Sequence, residues 1–231
     1  MAAPTIRNPL KEKLERGQVG SSMAVRLATG NEIVLLAKSA GFDSIYIDLE
    51  HSSLSIETAG RIALTALGEN LTCLVRVPAN RPDYISRVLD GGALGVIVPD
   101  VRNAEEARVA VAAAKFAPLG RRGVSGALPQ FGYRNVPASE GFAAINAATL
   151  VIVQCESHEA VENAASIAAV DGVDMILIGT NDLLADRNLP GKFDDPYVKE
   201  AYERVIAAAR PRENTPASVG SERGRNSWRI S

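Results

Sequence analysis

Short apolar runs alternate along the chain with longer stretches whose apolar positions recur at helical spacing. The runs are Gly20–Val25, Ser44–Leu49, Thr72–Val77, Leu94–Pro99, Leu150–Cys155 and Met175–Ile178. They are rich in Val, Ile and Leu and are bounded by Gly, Pro, Asp and Asn, the signature of strands. Most are apolar throughout rather than alternating, as parallel strands are when both faces are buried. Helical spacing covers Asn31–Ser39, Ile56–Ala66, Pro82–Leu89, Ala104–Lys115, Ser157–Ala169 and Pro196–Arg210. Asn103, ahead of Ala104-Glu105-Glu106, reads as an N-cap followed by an acidic first turn.

Repeated strand–helix units predict a parallel sheet. The first strand is followed by Arg26-Leu27-Ala28-Thr29-Gly30, which is not the glycine fingerprint of a dinucleotide-binding sheet. The expected fold is therefore α/β, a TIM-type (β/α) barrel, with an open doubly wound sheet as the alternative. An eight-unit barrel takes about 250 residues, whereas these 231 residues show six units and no strand pattern after Arg210.

Two segments stand apart. Ala117–Ala148 is a long connection carrying Gly120, Gly123, Gly126 and Gly132, three arginines (Arg121, Arg122, Arg134), Phe131 and Tyr133. A connection of that length in a compact domain is either functional or a solvated surface loop. Residues 211–231 are polar, rich in Ser and Arg and without period. The expected division is an incomplete barrel domain over 1–210 and an irregular tail over 211–231.

Composition narrows the partners. Hydrophobic residues make up 46 % and charged residues 23 %, with a net charge of −2, which suits a globular protein and disfavours nucleic-acid or membrane partners. There is no apolar run of membrane length and no signal-peptide pattern, so a cytoplasmic setting is expected. Cys73 and Cys155 both fall in apolar strands and lack zinc-site spacing, which makes them core residues.

Chemistry in a parallel α/β fold gathers at the C-terminal ends of the strands. Those ends carry Asp48, Glu50 and His51 after the second run, Arg76 and Pro78 at the third, and Gln154 and Glu156 at the fifth. The sixth is followed by Gly179, Thr180, Asn181 and Asp182. Glu156 and Asp182 are one strand–helix unit apart, so neighbouring strands bring both carboxylates to one rim. Close carboxylates repel unless a proton or a cation lies between them. Oxygen-only donors favour Mg²⁺, with Mn²⁺ and Co²⁺ as alternatives. The competing reading is that each carboxylate caps the helix that follows. His51 is either a base for a hydroxyl or a carbon acid, or a structural histidine. Asp48 and Asp90 are candidates to raise its basicity. His158 falls in a helical first turn and is expected at the surface. Arg76 either holds a carboxylate or enolate oxygen, or forms a salt bridge across the rim.

Six segments then fall in register: Ile47-Asp48-Leu49-Glu50-His51, Val75-Arg76-Val77-Pro78, Val98-Pro99, Gly120-Arg121-Arg122-Gly123, Val153-Gln154-Cys155-Glu156 and Ile178-Gly179-Thr180-Asn181-Asp182-Leu183. In this order and spacing the chain resembles the HpcH/HpaI aldolase/citrate lyase family, specifically its metal-dependent pyruvate-type aldolases. The resemblance implies a barrel of the phosphoenolpyruvate/pyruvate superfamily. It also implies a divalent-metal-dependent carbon–carbon lyase working through a pyruvate enolate, with pyruvate or oxaloacetate and an aldehyde as reactants. By the same resemblance His51 is the base, Asp90 raises its basicity and Arg76 stabilises the transition state. Glu156 and Asp182 are the metal ligands, while Gln154, Gly179, Thr180, Asn181 and Asp182 meet the substrate. The family also implies a homo-oligomer, trimeric or hexameric. The chain departs from the family in lacking patterns for the last two βα units. That opens a second expectation, an inactive or partner-dependent fragment serving as a non-catalytic oligomer component.

Overall fold

A computed structural model of the chain describes residues 5–209 and 218–221. The elements run α1 (Pro9–Glu15), β1 (Ser22–Val25), α2 (Glu32–Ser39), β2 (Ser44–Asp48), α3 (Ile56–Gly68), β3 (Thr72–Arg76), α4 (Pro82–Asp90) and β4 (Gly95–Val98). There follow α5 (Ala104–Ala114), α6 (Ala138–Ala148), β5 (Leu150–Cys155), α7 (His158–Glu162), α8 (Ala164–Ala168), β6 (Met175–Ile178), α9 (Thr180–Asp186), α10 (Pro196–Ala209) and β7 (Ser218–Ser221).

The strands pair in chain order from β1 to β7, each parallel to the next. This is the expected TIM-type α/β architecture, an arc rather than a closed ring among the described residues. Side chains alternate between its two faces. Ile45, Ile47, Val75, Val96, Val153 and Ile176 pack outward in one cluster with the helices. Leu74, Ile97, Leu150, Ile152 and Leu177 pack inward in another. Burial on both faces explains why the strands read as unbroken apolar runs.

One element corrects the sequence reading. Within the tail expected to be irregular, Ser218–Ser221 forms β7, in register with Met175–Ile178. Ser-Val-Gly-Ser carries one large apolar residue, so backbone pairing along the β6 edge leaves no hydrophobic period to detect. The rest of the tail lies outside the described residues.

Three helices were also illegible. α6 fills the last third of the expected long connection, and α9 occupies what reads as a turn. The third is α1, whose N-cap Asn8 accepts from Lys11 N and donates to the carbonyls of Leu94 and Ala148 at 3.1 and 2.7 Å. Thr72 Oγ1 donates to Asn8 Oδ1, and Leu10 enters the inner cluster. α1 therefore covers the inner face at the N-terminal ends of the strands and leaves the opposite end for chemistry.

Candidate active site

Strand alternation builds the first layer of the site. Two residues beyond inward Tyr46, Leu74 and Ile152 come Asp48, Arg76 and Gln154, each 3 % exposed or less. Asp48 and Arg76 are direct partners in the β2–β3 register. Arg76 donates Nε to Asp48 Oδ1 at 3.1 Å and Nη2 to Oδ2 at 2.7 Å, a bidentate pair. Its Nε also lies 3.3 Å from Glu50 Oε2. Arg26 Nε adds a second cation 3.2 Å from Asp48 Oδ2. Burial pushes the Asp48 carboxyl up, but hydrogen bonds from Arg76 and from the backbone N–H groups of His51 and Glu50 outweigh it and hold the pKa below the usual range.

Asp48 also shapes the turn that carries His51. Its Oδ1 accepts from Glu50 N and His51 N, both at 3.0 Å, while its carbonyl accepts from Ser52 Oγ. The His51 side chain stays half exposed, with Nε2 3.8 Å from Glu50 Oε2.

Glu156 follows β5 directly and is 8 % exposed. Its Oε1 accepts from Asp100 N at 2.7 Å, and its Oε2 accepts from Gln154 Nε2. Burial raises the Glu156 pKa to about 7, the charges of Glu50 and Asp182 push the same way, and the two hydrogen bonds only partly offset them. The capping alternative fails here, because α7 is capped by Ser157, whose side chain accepts from Ala160 N. At α9 the N-cap is Gly179, and Asp182 sits exposed in the first turn. A Cβ on Gly179 would stand 2.5 Å from Glu156 Oε2 and 2.7 Å from Gln154 Nε2, so only glycine lets this turn pass so close to the carboxylate.

A cleft of about 410 Å³ opens over these groups and is lined by Glu50, His51, Asp100, Arg102, Glu156, Ser157, Glu159, Asp182 and Asp186. It brings together His51, Glu156 and Asp182. Arg76 reaches it through Glu50, and Gln154 through Glu156. The Thr180 hydroxyl instead meets Tyr202 Oη at 2.7 Å. Asn181 is exposed beside Asp182.

Asp90 is not part of the cluster. It is the last residue of α4, and that helix runs back from the rim to the start of β4. Its carboxylate is held by Arg122 Nη2 at 2.6 Å. Within one chain, then, Asp90 anchors the 116–134 segment rather than His51. His158 is half-buried rather than at the surface, with Nδ1 3.0 Å from Tyr197 Oη. Both cysteines are buried free thiols pushed up to about 12, which removes them as nucleophiles at neutral pH. The sequence reading passed over Asp100 and Arg102. The rule that found the others, inspecting each strand's C-terminal end, finds them too when applied to β4.

The donor set fits a hard divalent cation. Glu156 and Asp182 share one cleft with four further carboxylates, and burial first, then the charges of Glu50 and Asp182, raise the Glu156 pKa, a cost to its ionised form that a bound cation would relieve. Among the described residues no third His, Cys, Asp or Glu completes a cage. An ion on Glu156 and Asp182 would keep open positions for substrate and water, as Mg²⁺ sites commonly do.

The comparisons with known proteins agree with this frame. The family model for HpcH/HpaI aldolase/citrate lyase matches residues 27–216. A 4-hydroxy-4-methyl-2-oxoglutarate aldolase of Chaetomium globosum is 39 % identical over 227 residues, covering 96 % of this chain and 84 % of that protein. A 4-hydroxy-2-oxo-heptane-1,7-dioate aldolase of Salmonella typhimurium is 36 % identical over 212 residues, covering 91 % and 80 %. The crystal structure of an HpcH/HpaI aldolase from Desulfitobacterium hafniense superposes with a TM-score of 0.83 at 29 % identity, over 92 % of this chain and 90 % of that one. The chain belongs to the HpcH/HpaI aldolase/citrate lyase family and is a carbon–carbon lyase of its metal-dependent aldolase class.

Proposed function

We propose that the enzyme cleaves and forms 4-hydroxy-2-oxo acids through a pyruvate enolate, using Mg²⁺ on Glu156 and Asp182, with Mn²⁺ or Co²⁺ as substitutes. The observation that carries this reading is the single cleft that joins His51 to Glu156 and Asp182, with Arg76 fixed beneath it. The cation would supply Lewis-acid stabilisation of charge developing on the keto oxygen.

The chain's own residues do the rest. In cleavage His51 takes the proton of the C4 hydroxyl, through one water, and the C3–C4 bond breaks. Its electron pair passes to C3, giving pyruvate enolate and a C4 carbonyl. Arg76, held by Asp48 and Glu50, offers a positive charge that needs no reorientation as the enolate forms. Gln154 and the first-turn N–H groups of Thr180, Asn181 and Asp182 orient the substrate carboxylate. Asp90 has no part in this set within one chain. Substrates of the kind named for the two aldolase relatives, 4-hydroxy-4-methyl-2-oxoglutarate and 4-hydroxy-2-oxoheptanedioate, are the first to try; oxaloacetate decarboxylation would report the same enolate.

The test is pyruvate release, coupled to NADH oxidation by lactate dehydrogenase. Turnover is expected with Mg²⁺, should vanish with EDTA, and should fall by about a thousandfold or more in Glu156→Ala. Folded protein with no metal-dependent turnover on these acids or on oxaloacetate would overturn the reading and favour the non-catalytic one. We further propose a homo-oligomer, trimeric or hexameric. It is supported by exposed Leu27, Leu35 and Leu36 near β1 and is checked by light scattering after gel filtration.

A further inference from the structure

Asp100 follows β4 and Pro99 with φ of 51°, in the left-handed region. An L residue with a Cβ adopts that conformation at a cost, and Asp and Asn bear it better than most. Packing does not demand it, because the Asp100 side chain is 53 % exposed. The turn is nonetheless fixed from several directions. Arg102 grips the Asp100 carboxylate with Nε at 2.9 Å and Nη2 at 2.6 Å. Arg102 N donates to Glu106 Oε2 at 2.7 Å, and its carbonyl accepts from Asn163 Nδ2 at 3.0 Å. Val101 N donates to the Gln154 carbonyl at 3.1 Å. An exposed ion pair adds little to stability, so stability does not account for an exposed residue held this firmly in a strained conformation. What the conformation achieves is the 2.7 Å bond from Asp100 N to Glu156 Oε1.

We propose that Asp100 is a positioning residue for Glu156: its left-handed backbone, clamped by Arg102, aims an N–H at Oε1 and keeps the carboxylate turned to the cleft for the cation. The proposal rests on the metal reading of Glu156. Partners that orient a metal ligand matter nearly as much as the ligand, and their loss commonly weakens metal binding by about ten- to a hundredfold.

The experiment is calorimetric titration of the metal-free protein with Mn²⁺, alongside its melting temperature without metal. Asn keeps the left-handed conformation and loses the charge, whereas β-branched Val disfavours it. Asp100→Val is expected to weaken Mn²⁺ binding by about tenfold or more, and Asp100→Asn by no more than about threefold. Asp100→Asn should melt, metal-free, close to the parent and Asp100→Val modestly lower, by the strain in its backbone, whereas a merely structural role would move melting and not affinity. A loss below about tenfold in Asp100→Val, or an equal loss in Asp100→Asn, overturns the proposal. If Asp100→Val does not fold, Arg102→Met decides: released from its clamp, the turn should bind Mn²⁺ about threefold or more weaker, and unchanged affinity overturns the proposal. Absence of Mn²⁺ binding by the parent protein would instead sink the metal reading, and the proposal with it.

Discussion

Arg76 and Asp48 occupy paired positions on adjacent strands and close a bidentate ion pair, 2.7 Å between Nη2 and Oδ2, at the floor of the active site. Asp48 is at the same time the acceptor that shapes the His51 turn. One side chain therefore holds both the Arg76 guanidinium and the turn that carries His51. Removing Asp48 leaves the buried Arg76 guanidinium with the Glu50 carboxylate, 3.3 Å from its Nε, to offset its charge. Asp48→Ala is expected to cost about 3–5 kcal/mol in denaturant unfolding and to lower kcat/KM by about a hundredfold or more. The pH behaviour follows from the depressed pKa. Asp48 contributes stability above its ordinary 3.8, and that contribution is lost as pH falls through the lower folded value. In Asp48→Asn this acid-side loss should disappear from the unfolding curves. A variant that unfolds and turns over like the parent would show that the pair is incidental.

Gly179 tests how closely the site is packed. Its φ is −85°, so alanine is permitted by the backbone and excluded only by its neighbours. The added methyl would sit 2.5 Å from Glu156 Oε2 and must displace that carboxylate or Gln154. Gly179→Ala is expected to lower metal affinity by about tenfold or more while costing only about 1–3 kcal/mol of stability. Equilibrium dialysis against Mn²⁺, with thermal melting, separates the two effects. Unaltered affinity would mean that the turn yields instead of the carboxylate.

Much of this site was legible in the sequence because strand ends are. The period of two places Asp48, Arg76 and Gln154 inward once their strands are recognised, and Glu156 and Asp182 fall one unit apart. What escaped was conformation and distance. Asp100 matters through its backbone N–H and its φ, which no residue type announces. Asp90 is matched to His51 by the resemblance, and within one chain the end of α4 places it at the opposite end of the strands. β7 escaped because four residues held by backbone pairing need no apolar pattern.

Asp90 and Arg122 give a prediction of opposite character. The Arg122 side chain is fully buried, bonded to Asp90 and stacked 4.7 Å over the Phe116 ring, which itself stacks on Phe142. Burial pulls the Arg122 pKa down against the raising effect of Asp90. Truncating the acid strands a buried guanidinium, so Asp90→Ala should cost about 3–5 kcal/mol, whereas Arg122→Met, which removes the charge and keeps the volume, should cost less. Chemical denaturation of both variants checks the order. The reverse order would place the value of the pair in the arginine's packing rather than in its charge.

The raised pKa of Glu156 makes a prediction about the metal-free protein. The unfolded carboxyl titrates near 4.5 and the folded one at about 7, so between those values the folded state holds the extra proton. Stability must then fall as pH rises through this window and level off above it. Two to three pH units of difference amount to a cost on the order of 3 kcal/mol at the alkaline side. In EDTA the melting temperature should drop between pH 5 and 8, and Glu156→Gln should remove that slope. A divalent cation binds only the ionised carboxylate, so its stabilising effect should grow over the same window and offset the fall. If metal-free melting is flat across that range while Glu156→Gln changes nothing, the carboxylate is already ionised in the folded protein. The cleft would then be wetter, and its hold on a cation weaker, than its burial implies.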